Sequence, residues 1–346
     1  MKRSLILAAV ATLASGAALA QSSITIYGRL NASVERQKFE TTDGETGLKT
    51  GSSIWALQNS SSRIGFKGTE DLGGGMKAFF VLEHGFNVDT GAQSSSTFWN
   101  RESTVGLSGA FGKVRLGNVG FGTAAYFATT DWVSMHNHDT GTSADAFYLY
   151  PAGPLRNMIS YTTPSIGGFE AELQVGLKET TAAGSKNSVV LAGNYDAGSL
   201  HLGATYVNAN GGMGSVSGDI KEFGLRGVYE FGPVTFGAYF INNKADGTGA
   251  TAKRNSYRLA AMYTLGSSEF HVNVGKAGKI KYSGALTGEE PDATQATLGY
   301  NYILSKRTKV YAFYTALSGD GRELYSTNVG PAGFKNSFAV GMRHNF

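Results

Sequence analysis

Apolar and polar side chains alternate with a period of two along most of the chain after residue 20. Alternate positions of a β-strand face opposite sides of the sheet, so each such segment predicts a strand with one apolar and one polar face. Helical periodicity is almost absent over the same length. The apolar positions of the clearest segments are Ile24, Ile26, Leu30, Ala32 and Val34; Ala171, Leu173, Val175 and Leu177; Phe223, Leu225 and Tyr229; Phe270, Val272 and Val274; Ala296, Leu298, Tyr300 and Tyr302; and Phe338, Val340, Met342 and Phe346.

The polar faces of these segments are rich in Gly, Ser, Thr and Asn. Charged residues make up only 16% of the chain, and 48 of its 346 residues are glycine. A soluble β-sandwich alternates too, with its apolar face inward, but its water-facing side carries more Lys and Glu. The alternation therefore favours strands that face lipid on their apolar side, and a soluble β-sandwich adhesin is the alternative.

The N-terminus has the three parts of a secretory signal peptide. Met1–Arg3 is basic, Ser4–Leu19 is small and apolar, and Ala18-Leu19-Ala20 forms a small-x-small cleavage pattern. We expect residues 1–20 to be removed, which leaves residues 21–346 as one domain. Beyond this segment, no run approaches the roughly 20 apolar residues of a transmembrane helix.

The connections between the predicted strands alternate between short and long. The short turns fall at Asp71–Gly75, Ala110–Lys113, Ser165–Gly168, Asp196–Ser199, Glu230–Pro233, Leu265–Glu269 and Leu304–Arg307. The long connections fall near residues 37–53, 88–97, 120–155, 180–187, 208–219, 243–252, 277–291 and 317–335. Seven short and eight long connections predict sixteen strands, with both chain ends on the side of the short turns.

These features follow the rules of bacterial outer-membrane barrels, which have short periplasmic turns, long outer loops and strands that are apolar outside and polar inside. We therefore predict an all-β fold, a 16-stranded antiparallel transmembrane β-barrel in the bacterial outer membrane. A barrel of this strand number encloses an aqueous channel rather than a packed core. Aromatic residues near segment ends are expected to form the interfacial girdles, at Tyr206, Tyr229, Tyr263, Tyr302 and Tyr314.

Several segments resemble the trimeric general porins of β-proteobacteria, and the likeness extends over the whole mature chain. The segments are Ser23–Gly28, Ser61–Gly75 (the most specific), Arg101–Leu107, Phe111–Gly117 and Asn157–Pro164. The terminal Phe346 resembles the assembly signal that many outer-membrane barrels carry. The resemblance implies a homotrimer whose third outer loop folds into the lumen as a constriction. Members of this family are often anion-selective.

The third long connection, residues 120–155, is the longest and contains Asp131, Asp139 and Asp145 but neither Lys nor Arg. A loop of this length without regular structure is usually functional or disordered. Its many aromatic residues favour a packed loop, and an exposed cap over the barrel mouth is the alternative. We predict that the three aspartates lie on one side of the pore constriction, opposite basic residues of the wall.

Arginines repeatedly take the polar parity of the predicted strands, at Arg29, Arg63, Arg115, Arg156, Arg226, Arg258 and Arg343. Arginine stays charged at any relevant pH, and a ring of charges at a constriction is one way to build selectivity. We predict that Arg63, Arg115 and Arg156 belong to the constriction, and that Arg29, Arg226, Arg258 and Arg343 are further lumen-facing bases. Arg101 matches the family motif, but its parity groups it with Val105 and Leu107, so only a bulge would turn it inward. Each arginine could instead be a solvated or salt-bridged wall residue.

These observations predict a diffusion porin that passes small hydrophilic solutes and ions passively, with a mild anion preference. A solute-specific outer-membrane channel and an outer-membrane hydrolase on a smaller barrel are the alternatives. We expect no enzyme activity and no cofactor, since no catalytic spacing occurs and the six histidines are scattered. His136, His138 and Asp139 could bind a metal, but a metal site is not expected. A net charge of +4 without a basic run argues against a nucleic-acid partner.

Overall fold

The computed structural model describes residues 23–119, 156–213, 215–321 and 333–346. Across these ranges, no helix has both the length and the apolar character that crossing a membrane requires. The predicted signal peptide at residues 1–20 and its boundary with residues 21–346 lie outside the described residues. The same holds for Asp131, Asp139 and Asp145, and for the histidines beside Asp139.

Nineteen strand segments form one sheet. They are β1 (Ser23–Thr42), β2 (Lys49–Asn59), β3 (Arg63–Gly73), β4 (Met76–Gly85), β5 (Glu102–Gly109), β6 (Gly112–Asn118), β7 (Met158–Thr162), β8 (Phe169–Gly176), β9 (Ser188–Ala197), β10 (Leu200–Met213), β11 (Val216–Phe231), β12 (Val234–Gly247), β13 (Ala250–Leu265), β14 (Ser268–Ala277), β15 (Ile280–Gly284), β16 (Gly288–Glu290), β17 (Ala293–Ile303), β18 (Thr308–Ser318) and β19 (Phe334–Asn345).

The nineteen segments make sixteen antiparallel strands, because three strands are each interrupted once. β2 and β3 form one strand, because both pair with β1. β14 and β15 form the second, because both pair with β13. β17 and β16 form the third, because β17 pairs with β14 and β16 pairs with β15. The last strand, β19, pairs with the first from Arg29↔Asn345 to Phe39↔Phe334. The sheet is therefore a closed barrel, and the predicted fold and strand number are confirmed.

The barrel seam is completed by the last residue of the chain. The Gly28 backbone N–H donates to the Phe346 carbonyl at 3.0 Å, and the Phe346 N–H donates to the Gly28 carbonyl at 3.1 Å. The phenyl ring lies over Gly28, where an added Cβ would meet the ring at 2.4 Å and the Arg63 carbonyl oxygen at 2.6 Å. Glycine is therefore the residue that fits at position 28. The role of Phe346 as an assembly signal stays a prediction.

The two faces predicted from the alternation are confirmed by side-chain exposure. On the outer face, Ile24 is 72% exposed and Leu298 is 61% exposed. On the inner face, Asn31, Glu35 and Ser337 are fully buried, at 0% exposure. Because the outer set is apolar and the inner set is polar, the barrel presents hydrocarbon to lipid and hydrogen-bonding groups to its interior.

The five tyrosines proposed as girdle residues all face outward, at 41–50% exposure. Tyr229, Tyr263 and Tyr302 lie within two residues of the short-turn ends of β11, β13 and β17, as expected of an interfacial girdle. Tyr206 and Tyr314 lie inside β10 and β18 instead. The predicted position at a segment end was therefore wrong for Tyr314, which lies opposite Leu298 in the middle of β17, whereas Tyr206 lies opposite Phe223, eight residues from the short-turn end of β11 and near the outer end of the span.

All seven short turns fall where the sequence predicts them. Several long connections are shorter than predicted, because the strands continue past the apolar segments. The range 208–219 lies largely in β10 and β11, which end at Met213 and begin at Val216. The range 243–252 lies largely in β12 and β13, which meet in a two-residue turn after Gly247, and 277–291 contains β15 and β16. In these extensions the outward residues are polar, so alternation ends while backbone pairing continues. A buried apolar cluster on their inner face supports them, formed by Val216, Ala245, Ala250, Ala252 and Ile280.

A charge placed on the outer face tests the assignment of that face. Leu298 lies in the middle of β17 and points outward. We expect Leu298→Arg to lower the free energy of folding into lipid vesicles by about 2–4 kcal/mol, as arginine does at a bilayer midplane. Urea-dependent unfolding in vesicles measures this loss. The control Leu286→Arg, in the tip between β15 and β16, should have little effect, and equal losses in both variants would contradict the assignment.

Candidate pore-lining site

The inner face of β3–β8 carries acidic and basic side chains in close succession. Residues directly opposite in neighbouring strands share a face. Arg63 lies opposite Gly85 and Arg29, Glu83 lies opposite Glu102, and Arg115 lies opposite Gly106 and Ser160. The register therefore brings two of the predicted constriction arginines onto the same wall as two glutamates.

Glu83 binds two of the predicted arginines at once. Its Oε2 lies 3.6 Å from the Arg63 Nε, and its Oε1 lies 2.5 Å from the Arg101 Nε. The three side chains are 15–23% exposed. Arg63 also donates from its NH1 to the Ser61 carbonyl oxygen at 3.3 Å. Arg63 and Arg101 thus form a salt-bridged group that shares one carboxylate.

Arg101 reaches this wall at the beginning of β5, where its backbone and that of Glu102 both stand opposite Glu83. It precedes that strand, which begins at Glu102, and its backbone N–H donates to the Glu83 carbonyl at 3.3 Å. The alternation of β5 therefore does not govern the direction of this side chain. Two residues opposite one is the arrangement of a β-bulge, which the parity of Arg101 with Val105 and Leu107 requires for an inward side chain; its role in the constriction stays a prediction.

Arg115 is held between two glutamates. Its NH1 lies 3.2 Å from the Glu102 Oε1, and its NH2 lies 2.7 Å from the Glu172 Oε1. The same oxygen of Glu172 accepts hydrogen bonds from the Ser160 hydroxyl at 2.5 Å and from the Gln174 amide at 2.7 Å. These contacts fix the guanidinium against the wall at 12% side-chain exposure.

The sequence reasoning did not assign a role to Glu83, Glu102 or Glu172. Glu172 stands in the polar set of its segment, so the sequence predicts that its side chain points inward. The sequence does not show which residue of another strand it contacts. The strand register that each short turn sets could have been used to predict these pairs. A two-residue turn after Gly109 places Arg115 opposite Gly106, four positions from Glu102.

The other predicted arginines are spread around the barrel. Arg156 lies just before β7, is exposed, and donates to the Thr97 hydroxyl at 3.0 Å. Arg29 donates from Nε to the Asn345 side-chain oxygen at 3.3 Å. Arg343 lies opposite Asn31 and Lys309 in the register. Arg29 and Arg343 therefore lie on the wall near the barrel seam, away from Arg115.

A second basic wall lies on β11–β13. Arg226 and Arg258 both lie opposite Tyr239, and the Arg258 guanidinium lies 6.0 Å from the centre of its ring. Arg254, which the sequence reasoning missed, lies opposite Asn243, and Asn243 donates to Glu222 at 2.9 Å. The three arginines are 1–6% exposed. Their side chains lie on the inner face, where β11 also carries the carboxylates of Glu222 and Glu230.

Two lysines on the inner parity lie nearer the short turns. Lys67 lies over the Tyr27 ring at 5.2 Å, and Lys77 lies opposite Asp71. In the part of the chain that the structure describes, no group of three or more His, Cys, Asp or Glu side chains is placed to hold a metal ion.

The comparisons with known proteins agree with the architecture. The pattern that describes Gram-negative porins matches residues 7–322. The chain belongs to the Gram-negative porin family. It is 34% identical to outer membrane porin protein 32 of Delftia acidovorans, with all of both chains covered. It is 27% identical to the major outer membrane protein P.IB of Neisseria meningitidis serogroup B, again over both whole chains.

A solved structure gives the same fold. The anion-selective porin from Comamonas acidovorans superimposes with a TM-score of 0.74 at 29% identity, and the alignment covers 94% of this chain and all of the other. Family, fold and the polar interior together make this chain an outer-membrane diffusion porin that passes small hydrophilic solutes. They point to a channel rather than an enzyme.

Removal of the carboxylate that Arg63 and Arg101 share should change the charge of the wall. We expect Glu83→Gln to raise the permeability of anions over cations severalfold, since one unit charge at 4 Å in water is worth about 1 kcal/mol. The reversal potential of a planar bilayer under a salt gradient measures this ratio. The control Glu70→Gln removes an exposed carboxylate of the outer face of β3 and should leave the potential unchanged. An equal shift in both variants, or none in Glu83→Gln, would contradict the assignment.

Proposed function

We propose that the mature chain, residues 21–346 after removal of the signal peptide, assembles as a homotrimer of water-filled barrels. Each barrel passes small hydrophilic solutes and ions with a mild preference for anions. The trimer rests on the resemblance of Ser61–Gly75 and the other segments to trimeric porins. The anion preference rests on the basic residues of the inner wall.

The β11–β13 wall is the observation that carries the anion preference. Arg226, Arg254 and Arg258 lie on the inner face at 1–6% exposure, and β11 carries Glu222 and Glu230 on the same face. Guanidinium groups stay charged at any relevant pH, so these three arginines make the electrostatic potential of the nearby interior more favourable to anions. The Debye length is about 8 Å at physiological salt, so this charge acts over the width of a narrow channel.

The β3–β8 wall supplies the local field of the proposed constriction. Its three arginines, Arg63, Arg101 and Arg115, face three glutamates, so the wall is nearly neutral in sum. Separated charges of both signs orient water and polar solutes, which disfavours apolar ones. We propose that Arg156 and the aspartates Asp131, Asp139 and Asp145 complete this constriction.

A solute-specific channel would need aromatic side chains open to the lumen beside a polar track. Among the described residues, the inward aromatics near the seam are buried: Phe39, Tyr311, Phe313 and Phe334 are 3–5% exposed. Side chains buried to this degree do not offer a surface to a passing solute. The geometry therefore favours the general diffusion porin.

Planar-bilayer recording tests the proposal directly. A trimer of open barrels should insert in conductance steps that close in thirds, with an ohmic current. Under a salt gradient the reversal potential should have the sign of an anion-preferring channel. A cation-preferring potential would contradict the proposed selectivity, and steps without a threefold substructure would contradict the trimer.

Loss of two constriction arginines should reverse this preference. Arg63→Ser with Arg115→Ser leaves Glu83 with one partner and releases Glu102 and Glu172, so we expect the reversal potential to move toward cations. The control pairs Arg36→Ser with Arg307→Ser, two exposed arginines on the outer face and in a short turn. It loses the same charge outside the lumen and should behave as the unmodified protein. An unchanged potential in the first variant would exclude these arginines from the selectivity site.

A further inference from the structure

The inward side chains next to the short turns form one ring at the end of the lumen. Each occupies the second position from the short-turn end of its strand: Lys113 on β6, Glu170 on β8, Asp196 on β9, His201 on β10, Glu230 on β11, Glu269 on β14 and Lys309 on β18. Their inward direction follows from the register, since Lys113 lies opposite Thr162 and His201 lies opposite Val228, both buried inner-face residues. Because the short turns of outer-membrane barrels are periplasmic, this ring lines the periplasmic mouth of the lumen.

The negative charges of the ring lie together on one side of the mouth. Glu170, Asp196, Glu230 and Glu269 stand on strands from β8 to β14, and we call these four carboxylates the acidic arc. The side chains of Asp196 and Glu230 are 57% and 50% exposed. At least these two carboxylates therefore face the water of the mouth rather than the packed wall.

Basic side chains lie across the lumen from the acidic arc. β8, β9, β11 and β14 are the seventh, eighth, tenth and thirteenth of the sixteen strands, and the strands eight places further round are β18, β19, β3 and β6. The inner faces of these strands carry the basic residues Lys309, Arg343, Lys67 and Lys113. On the same side, Asp71 and Lys77 lie opposite each other and balance in charge. Strands half a circumference apart face each other, so the mouth has a negative side and a positive side.

His201 stands inside the acidic arc, between two of its carboxylates. Its Nδ1 lies 2.6 Å from the Asp196 Oδ1, and its Nε2 lies 3.8 Å from the Glu230 Oε1. Arg226, the other charged residue near it on the inner face of β11, donates to the Asn194 side-chain oxygen at 3.3 Å. A proton taken up by His201 is therefore stabilised by carboxylates on both neighbouring strands.

His271 stands at the other end of the acidic arc, two residues from Glu269. Its Nε2 lies 3.5 Å from the Glu269 Oε2, and the Asn301 side-chain nitrogen lies 2.8 Å from both of these atoms. The charged inner-face residues nearest to it on the strands to either side are Arg258, opposite Gly275 on β14, and Lys309 on β18. A proton taken up by His271 therefore adds positive charge directly beside the Glu269 carboxylate.

Protonation of the two histidines changes the charge of the acidic side and leaves the basic side as it is. Histidine is the side chain whose charge ordinarily changes between about pH 5 and 8, whereas lysine and arginine stay charged throughout that range. Each proton adds one positive charge, so two protons offset two of the four carboxylates. The acidic arc thus repels anions most strongly at neutral pH and much less in mild acid.

We propose that the periplasmic mouth is a second selectivity site, where the acidic arc lowers the local concentration of anions and protonation of His201 and His271 restores it. The inference rests on the proposed anion-preferring channel and adds a pH dependence to it. The solutes concerned are small inorganic and carboxylate anions, and a dianion should respond more than a monoanion because it carries twice the charge. The site shares no residue with the constriction proposed around Arg63, Arg101 and Arg115.

Reversal potentials of the mature protein in planar bilayers test the proposal. Under a potassium chloride gradient, we expect the permeability of chloride over potassium to rise when both compartments are brought from about pH 7.5 to about pH 5.5, where imidazole gains its proton. A unit charge about 4 to 8 Å from an ion in water corresponds to about a twofold to fivefold change in permeability, and we expect a rise of this size. In concentrated salt, where the Debye length is about 3 Å, the rise should shrink.

Variants of the histidines locate the pH response. His201→Gln with His271→Gln removes both imidazoles and keeps the carboxylates, so most of the rise should be lost. The matched control is His344→Gln, since His344 lies at the same end of the barrel opposite Leu30 on the outer face and contacts the Thr308 hydroxyl at 2.8 Å. This control removes an imidazole outside the lumen and should respond to pH as the unmodified protein does. Other histidines of the chain are common to the unmodified protein and the double variant, so the difference between these two isolates the mouth.

Loss of two carboxylates should reproduce the effect of acid at neutral pH. Asp196→Asn with Glu230→Gln removes two of the four negative charges of the acidic arc, so we expect the chloride preference at about pH 7.5 to rise by a similar factor, about twofold to fivefold. The matched control, Glu45→Gln with Glu70→Gln, removes two exposed carboxylates outside the lumen and should leave the reversal potential unchanged.

An ohmic conductance close to that of the unmodified protein shows that a variant forms an open barrel. Where the double histidine variant does not insert, His201→Gln and His271→Gln are measured singly, and each should lose part of the rise. An equal pH response in the unmodified protein and the histidine variants, or an unchanged potential in Asp196→Asn with Glu230→Gln, would overturn the proposal. A cation preference at both pH values would contradict the proposed selectivity of the channel instead, and a response to acid that needs the two histidines would still support the second site.

Discussion

The absence of water in the hydrocarbon is the constraint on which the rest of this structure depends. A backbone N–H or C=O without a partner in lipid costs several kcal/mol, so the sheet has to close on itself. β1 and β19 complete the ring, and the mutual hydrogen bonds of Gly28 and Phe346 extend the seam to the last residue. Closure then fixes the two faces, because each strand can present only its apolar side to lipid and its polar side to the lumen.

Closure also decides which charges meet. Arg63, Arg101 and Arg115 come from separate segments, and the register places each beside a glutamate of a neighbouring strand. In the β3–β8 wall these pairs nearly balance in charge, whereas the β11–β13 wall carries three arginines on the same face as Glu222 and Glu230. The selectivity of such a pore depends on which side chains pair across strands, and the total charge of the chain carries little information about it.

On the side of the long loops, the strands continue beyond the segments in which apolar and polar residues alternate. Polar residues face water on the outside there, while Ala245, Ala252 and Ile280 pack on the inside. One sheet thus serves as a membrane span and an extended outer rim, because hydrogen bonding holds the strands while the side chains alone set the environment.

The sequence by itself determined the all-β class, the strand number, the seven short turns and the two faces, because alternation and turn residues are local properties of the chain. It placed Arg63 and Arg115 on the inner face for the same reason. It misjudged the outer ends of several strands, where alternation stops before pairing does, and it could not pair Glu83, Glu102 and Glu172 with their arginines. Only the tertiary structure decided those pairs and the grouping of Arg226, Arg254 and Arg258 on one wall, since a contact between strands depends on register and closure across the whole sheet.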